Sequence, residues 1–459
     1  MRIIPILLGF LLLHWVANSQ PSAIAPGTPR IPVAAGQSIT AIASTTHITH
    51  APIPSAPDQR IPPSASQPIL TGADQMELYL PLLRGRSIAL FANPTSVIGS
   101  THLVDTLLKK DIHIQKIFSP EHGFRGQADA GAKVGNQQDP QTGIPIISLY
   151  GAKTKPSPAD LDGIDILLFD IQDVGVRFYT YISSLQRYME AAIENHLPLI
   201  ILDRPNPNGF YVDGPILDTK FRSFVGMQPI PVVYGMTIGE YARMLLGEKW
   251  LSPNDSLVKT APPTKPAGET TAPTKHPGPA GFQLTVIPCK YYTHSSRYAL
   301  PVKPSPNLPN MQSVYLYASL CLFEGTPVSL GRGTTKPFQQ FGHPTFPHTG
   351  YSFTPQSLPG ASNPPQLGNT CYGTDLSQID TEKEINHRWT LKWILQAYSL
   401  FPDKDSFFLK NGSFDRLAGG PVLQQQIKAG LTEEQIRKSW EPALSNFKKI
   451  RKKYLLYAD

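Results

Sequence analysis

Cysteine is almost missing from this chain: three in 459 residues, at Cys289, Cys321 and Cys371. So odd and sparse a set excludes a disulfide framework and leaves room for at most one pair, which the sequence does not choose. Three signatures are absent as well. No G-x-G-x-x-G follows the first strand-like run, which ends "FANPTSVIGS", so a dinucleotide site is disfavoured. No G-x-S-x-G is present, which argues against a serine esterase, and no H-E-x-x-H or comparable ligand spacing supports a metal hydrolase. No cofactor and no metal are called for. The formal charge of +7, or +6 without Arg2, is a modest excess for this length. It suits an acidic polymer or envelope surface and does not by itself imply nucleic acid.

What is there begins with "MRIIPILLGFLLLHWVANSQ". Arg2, an apolar core from Ile3 to Val16 and the small residues Ala17-Asn18-Ser19 read as a signal peptide over 1–19. The apolar run is short of the roughly 20 residues that cross a bilayer, and no cysteine follows it to take a lipid. Export to the periplasm or medium is expected, with no stable membrane anchor after cleavage. From 20 to 70 the chain is Pro, Ala, Ser, Thr and Gln with little periodicity, the composition of a disordered tether. His47 and His50 in "THITH" lie there without a third ligand nearby.

A compact region starts near Asp74. Short apolar runs at 87–91, 113–118, 145–149, 164–169 and 198–202 alternate with amphipathic helical patterns such as "HLVDTLLKK" and "YISSLQRYMEAAIENH". That alternation predicts βαβ units and a buried parallel sheet, an α/β, Rossmann-like domain over 71–250. A Pro/Thr/Lys-rich stretch over 251–281 reads as an insert or linker. Its Ser256 to Lys259 matches S-x-x-K, but such a segment lacks the rigid setting that a nucleophile needs. Residues 282–459 read as a smaller α+β domain.

Ligands of open parallel sheets bind beyond the carboxyl ends of the strands. Reading those ends in order gives Asn93, then Glu121 with His122 and Arg125, then Tyr150, then Asp170, Asp173 and Arg177, then Asp203 with Arg204, Asn206 and Asn208. Glu121 closes an apolar strand beside His122, a setting that tunes a carboxyl for acid catalysis; a helix cap or surface ion pair is the plainer reading. "DIQDVGVRFYTYI" sets carboxylates beside Arg177, Tyr179 and Tyr181, which suits a sugar: acids accept from hydroxyls, rings cover apolar faces, and arginine clamps a carboxylate. The alternatives are core packing for the tyrosines and a local ion pair between Asp173 and Arg177. In "KPSPNLPN" and "FEGTPVSLGRGT", Asn307, Glu324 and Arg332 are candidates to face the same cleft between the domains.

At "FSPEHGFRG", "DILLFDIQDVGVRFYTYI", "LDRPNPNG" with "VDGP", "VYGMTIGEYARM", "PSPNLP" and "CLFEGTPVSLGRGTTKPFQQFG" the chain resembles the NamZ-type exo-β-N-acetylmuramidases, long catalogued as a bacterial domain of unknown function. The likeness covers most of the chain from Asp74 onward, but neither the tether nor the 251–281 insert. "VIPCKYYTHSSRYALPV" departs from the family's tryptophan-containing stretch. The resemblance implies a glycoside hydrolase of peptidoglycan recycling that releases N-acetylmuramic acid from non-reducing ends, with its active site between a Rossmann-like domain and a smaller C-terminal one. It implies Glu121 as the catalytic glutamate.

Chemistry supplies the other expected roles. The second catalytic group is Glu324, Asp173, or the substrate's acetamide oriented by Asp170 or Asp173. Arg125, Arg177 and Arg332 are candidates for the lactyl carboxylate. His122, Asp170, Tyr179, Asn206, Asn208 and Asn307 complete the expected binding set. The expected partner is a peptidoglycan-derived saccharide such as MurNAc-GlcNAc, and the rival reading is a non-catalytic peptidoglycan-binding envelope protein.

Overall fold

The computed structural model describes residues 67–121, 123–124, 137–252 and 281–459, and the backbone of 274–277. The expected leader, nearly all of the tether, His122, Arg125 and the S-x-x-K segment lie outside the described residues. All described residues fall in one compact unit. It is already ordered at Leu70, which exchanges two backbone hydrogen bonds with Lys290, of 3.0 and 2.8 Å.

Among the described residues, ten strands make up the first part: β1 Ser87–Ala92, β2 Val97–Ile98, β3 Thr101–His102, β4 His113–Ser119, β5 Gln137–Gln138, β6 Pro145–Ser148, β7 Ile166–Asp170, β8 Leu199–Leu202, β9 Thr274–Pro277 and β10 Gln283–Ile287. Eight of them form one sheet in the order β5-β6-β4-β1-β7-β8-β10-β9. The six inner strands are parallel, and β5 and β9 pair antiparallel at the edges. Counted along the chain, the parallel strands run 3-2-1-4-5-6, the doubly-wound order of dinucleotide-binding folds. Each expected run becomes a strand because it is short, apolar and buried on both faces.

Alternation within β1 shows the layering. Ala89 and Phe91 face one core with Phe169 and Tyr188, while Ile88, Leu90 and Ala92 face a second core with Tyr79, Leu83 and Leu103. Helices α1 Met76–Leu83 and α2 Leu103–Leu108 cover the second face. Helices α3 Tyr181–Glu194 and α4 Ile238–Gly247 cover the first, and Phe91 stacks on Phe169 at 5.0 Å between ring centres.

Two boundaries differ from expectation. The stretch over 251–281 is not linker throughout, because Thr274–Pro277 pairs with β10 as an edge strand. Nor does a second domain begin at 282: β10 pairs with β8 and extends the parallel sheet, since its apolar residues need a neighbour on that sheet. After helix α5 Met311–Leu320 the chain builds a three-stranded antiparallel sheet, with strands Gln340–His343, Ser352–Phe353 and Cys371–Asp375, and five further helices from Lys392 to Arg451. All three cysteines are buried and free, so no pair forms.

Candidate active site

The crevice where strand order reverses, between β1 and β7, is filled by the protein itself. Asn93 accepts through its side-chain oxygen from the Thr95 backbone and hydroxyl, at 2.9 and 2.6 Å, and the Thr95 hydroxyl accepts from the backbone of Gln172 at 3.0 Å. The Ser96 hydroxyl bonds to the Asp170 carbonyl. This buried network occupies the position a dinucleotide would take, in keeping with the missing glycine fingerprint.

The open cavity lies to one side, over the ends of β4, β6 and β7, and holds about 700 Å³. Glu121, two residues past β4, and Tyr150, two residues past β6, line it with Phe178 to Tyr181, which lead into α3. Glu324, Arg332 and Tyr317 line it from the C-terminal part. The two parts of the chain therefore meet at the cavity, where a cleft was expected.

Glu121 is half-buried, and the Thr180 hydroxyl donates to it at 3.4 Å. Tyr150 lines the cavity beside this carboxylate. Burial, then the nearby Glu121 carboxylate, push the Tyr150 phenol well above its usual range, and Glu324 adds to the effect. Tyr150 therefore stays protonated, a potential donor beside Glu121. Glu324 sits on the single 3₁₀ turn Cys321–Gly325 that closes α5. Arg332 donates to one of its oxygens through Nε at 2.9 Å and a terminal nitrogen at 2.6 Å, and its guanidinium lies 4.9 Å from the centre of the Phe338 ring. The Tyr179 hydroxyl donates to the Pro304 carbonyl at 2.8 Å, so its ring rather than its hydroxyl faces the cavity.

Several expected contacts belong to the scaffold instead. Asp170 is fully buried and takes both bonds of the Arg204 fork, at 2.6 and 2.8 Å. Asp173 does not line the cavity and does not pair with Arg177; it accepts from the Gly175 backbone at 2.7 Å and from the Tyr234 hydroxyl. Burial raises its pKa to about 6. Arg177 is fully buried and donates to the carbonyls of Pro215, Ile230 and Leu417 at 2.8 to 2.9 Å, tying the sheet domain to the C-terminal part. Burial draws its pKa down to about 9.

Asn206 donates to the Met236 carbonyl at 2.9 Å and accepts from the Asn208 backbone at 2.8 Å, while Asn208 donates to the Val174 carbonyl at 2.8 Å. A side chain at Gly175, where φ is +76°, would collide with the Asn206 amide, so this knot requires glycine there. Asn307 acts from behind the wall, donating to the Gly360 carbonyl at 2.7 Å. Gly360 to Gln366 form a cavity wall that no motif announces, and Thr180, Tyr317 and Phe338 had no signal beyond their neighbours.

A family model described as exo-β-N-acetylmuramidase NamZ, N-terminal, matches residues 88–312, and its C-terminal counterpart matches 315–457. The chain belongs to the NamZ family. The junction between the two NamZ models falls at α5, after β10 has joined the large sheet. A relative from Bacillus subtilis (strain 168), the peptidoglycan β-N-acetylmuramidase NamZ, is 39% identical over 421 residues, covering 88% of this chain and 94% of that protein. Two crystal structures of DUF1343 family proteins from Bacteroides fragilis NCTC 9343 share the architecture, each matching 85% of this chain and 99% of the other. One has a TM-score of 0.74 at 46% identity, the other 0.68 at 27%.

Proposed function

We propose that the chain is an exo-acting β-N-acetylmuramidase of peptidoglycan recycling, a glycoside hydrolase that releases N-acetylmuramic acid from non-reducing ends. One observation carries the reading within the family: the only two carboxylates lining the cavity, among the described residues, are Glu121 and Glu324, on opposite parts of the chain. Glycoside hydrolysis needs a proton for the leaving oxygen and a stabilised oxocarbenium-like transition state. Glu121, which accepts from the Thr180 hydroxyl and has the Tyr150 phenol beside it, is the acid or acid/base. Glu324 is the second group, since Asp173 lies outside the cavity.

The Tyr179 and Phe178 rings and the apolar wall around Tyr317 suit the faces of a sugar ring. Arg332 is the described arginine that lines the cavity, which favours it for the lactyl carboxylate. The substrate is a MurNAc-β-1,4-GlcNAc unit or a longer fragment ending in it. The leader-like start of the sequence supports export to the periplasm or medium, where such fragments arise.

The test is release of free N-acetylmuramic acid from MurNAc-β-1,4-GlcNAc by the parent and by Glu121→Gln. Release by the parent and none by the folded variant is expected. A parent that binds the disaccharide without turnover would establish the binding-protein reading instead.

A further inference from the structure

Behind the cavity wall, sequence spacing sets up a contact to one of the two carboxylates. Cys321 and Glu324 stand three residues apart in "CLFEG", and this stretch is the 3₁₀ turn that closes α5. Such a helix has three residues per turn, so side chains at i and i+3 eclipse one another. The thiol of Cys321 accordingly lies against the carboxylate, its Sγ 3.7 Å from Oε2 of Glu324, within reach of a sulfur donor. Cys321 is 2% exposed and does not line the cavity, so it touches no substrate. Burial first, then the charge of Glu324, push its thiol well above the usual range. It stays protonated and faces Glu324 as a donor.

Arg332 takes the other oxygen. Both of its bonds, at 2.9 and 2.6 Å, end on Oε1, whereas Oε2 meets only the thiol among the described residues. A carboxylate held at one atom still swings about it, and an anchor on the other oxygen fixes its plane. A thiol is among the weakest side-chain donors, so it orients Oε2 while taking little of the charge that a base or nucleophile uses. A second cation in its place would orient the group and hold that charge down.

We propose that Cys321 is a positioning residue for the hydrolysis: its thiol anchors Oε2 of Glu324, so that the second catalytic carboxylate meets the sugar in one orientation. The inference rests on the hydrolase reading of the cavity. It goes beyond that reading by assigning a task to a residue that the substrate never touches.

The pH profile of kcat on MurNAc-β-1,4-GlcNAc tests this with Cys321→Ala and Cys321→Ser. A donor favours the ionised carboxylate, so its loss in Cys321→Ala should lower kcat about three- to tenfold and move the acid limb up by about half a pH unit. Serine keeps a donor, so Cys321→Ser should hold that limb at the parent's position or lower. Tyr150 and Tyr317 also feel the charge of Glu324, but burial first holds both phenols protonated, so neither ionises on that limb. A thiol that only fills space would give alanine and serine the same profile. A second readout needs no turnover. The S–H stretching band of Cys321, isolated as the infrared difference between protein with and without Cys321→Ala, should move to higher frequency in a Glu324→Gln background, where the acceptor loses its charge. An unmoved band, a Cys321→Ala profile that matches the parent's, or identical alanine and serine profiles each overturn the proposal and leave the hydrolase reading intact. A parent that releases no N-acetylmuramic acid overturns both.

Discussion

The phenol of Tyr150 lies beside the carboxylate of Glu121, whose charge acts on it, and the charge of Glu324 reaches the same phenol. One tyrosine at the end of an edge-side strand thus links two carboxylates carried by different parts of the chain. Tyr150→Phe removes the donor and leaves the ring, including its edge contact with Phe224 at 6.4 Å. A hydrogen bond to a charged group is worth about 1.5–3 kcal/mol, so kcat should fall roughly ten- to hundredfold, and the acid limb of its pH profile should move. Unchanged kcat and profile would leave Tyr150 as a wall residue only.

Arg332 and Arg177 divide a task that the sequence offered to both. Arg332→Lys keeps a cation near Glu324 but loses the planar fork. It should raise the inhibition constant of N-acetylmuramic acid about tenfold and leave that of N-acetylglucosamine within about twofold. Equal weakening of both would mean that Arg332 does not read the lactyl group.

Arg177→Met should act on stability instead. Three backbone carbonyls lose their donor, and a buried acceptor left unsatisfied costs about 1–3 kcal/mol. Denaturant midpoints should drop accordingly. The ratio of the two inhibition constants, measured on protein that remains folded, should hold; a changed ratio would restore Arg177 to the binding set.

Asp173 gives stability a pH dependence. Its folded pKa of about 6 stands above the usual carboxyl value of 3.8, chiefly through burial. Between those values the folded state holds more protons than the unfolded state, so its contribution is fully present below about pH 4 and is lost as pH rises through 6. Asp203 shifts in the same direction to about 6, also through burial, and adds to the slope. Asp173→Asn should remove on the order of 2–3 kcal/mol of the decline between pH 4 and 6 in urea-unfolding measurements. A parent and a variant with parallel curves would refute this.

The sheet was legible in the chain because its strands are self-announcing. Runs such as "SIALF" and "IDILLF" are too short for helices and too apolar for solvent, and alternation with amphipathic helices leaves little topology to choose from. The place of Glu121 at the cavity was legible too, since a charged, glycine-flanked loop at the end of a buried strand has few structural uses. The boundary at 282 failed because nothing local marks β10 as the sixth parallel strand; its partner β8 lies some eighty residues earlier.

The polar residues beyond Glu121 show where local reading ends. Asp170, Asp173, Arg177, Asn206 and Asn208 follow the strands in the register that a binding crest would have, and a buried crossover loop needs the same residue types to satisfy its own backbone. Composition and spacing are identical for the two uses. Whether a carboxylate meets Arg204 or a sugar depends on what packs over it. Thus the sequence determined the layered α/β fold and the placement of Glu121 at the end of a buried strand. Only tertiary packing decided which charged groups remained at the cavity, because burial, unlike periodicity, is set by residues hundreds of positions away.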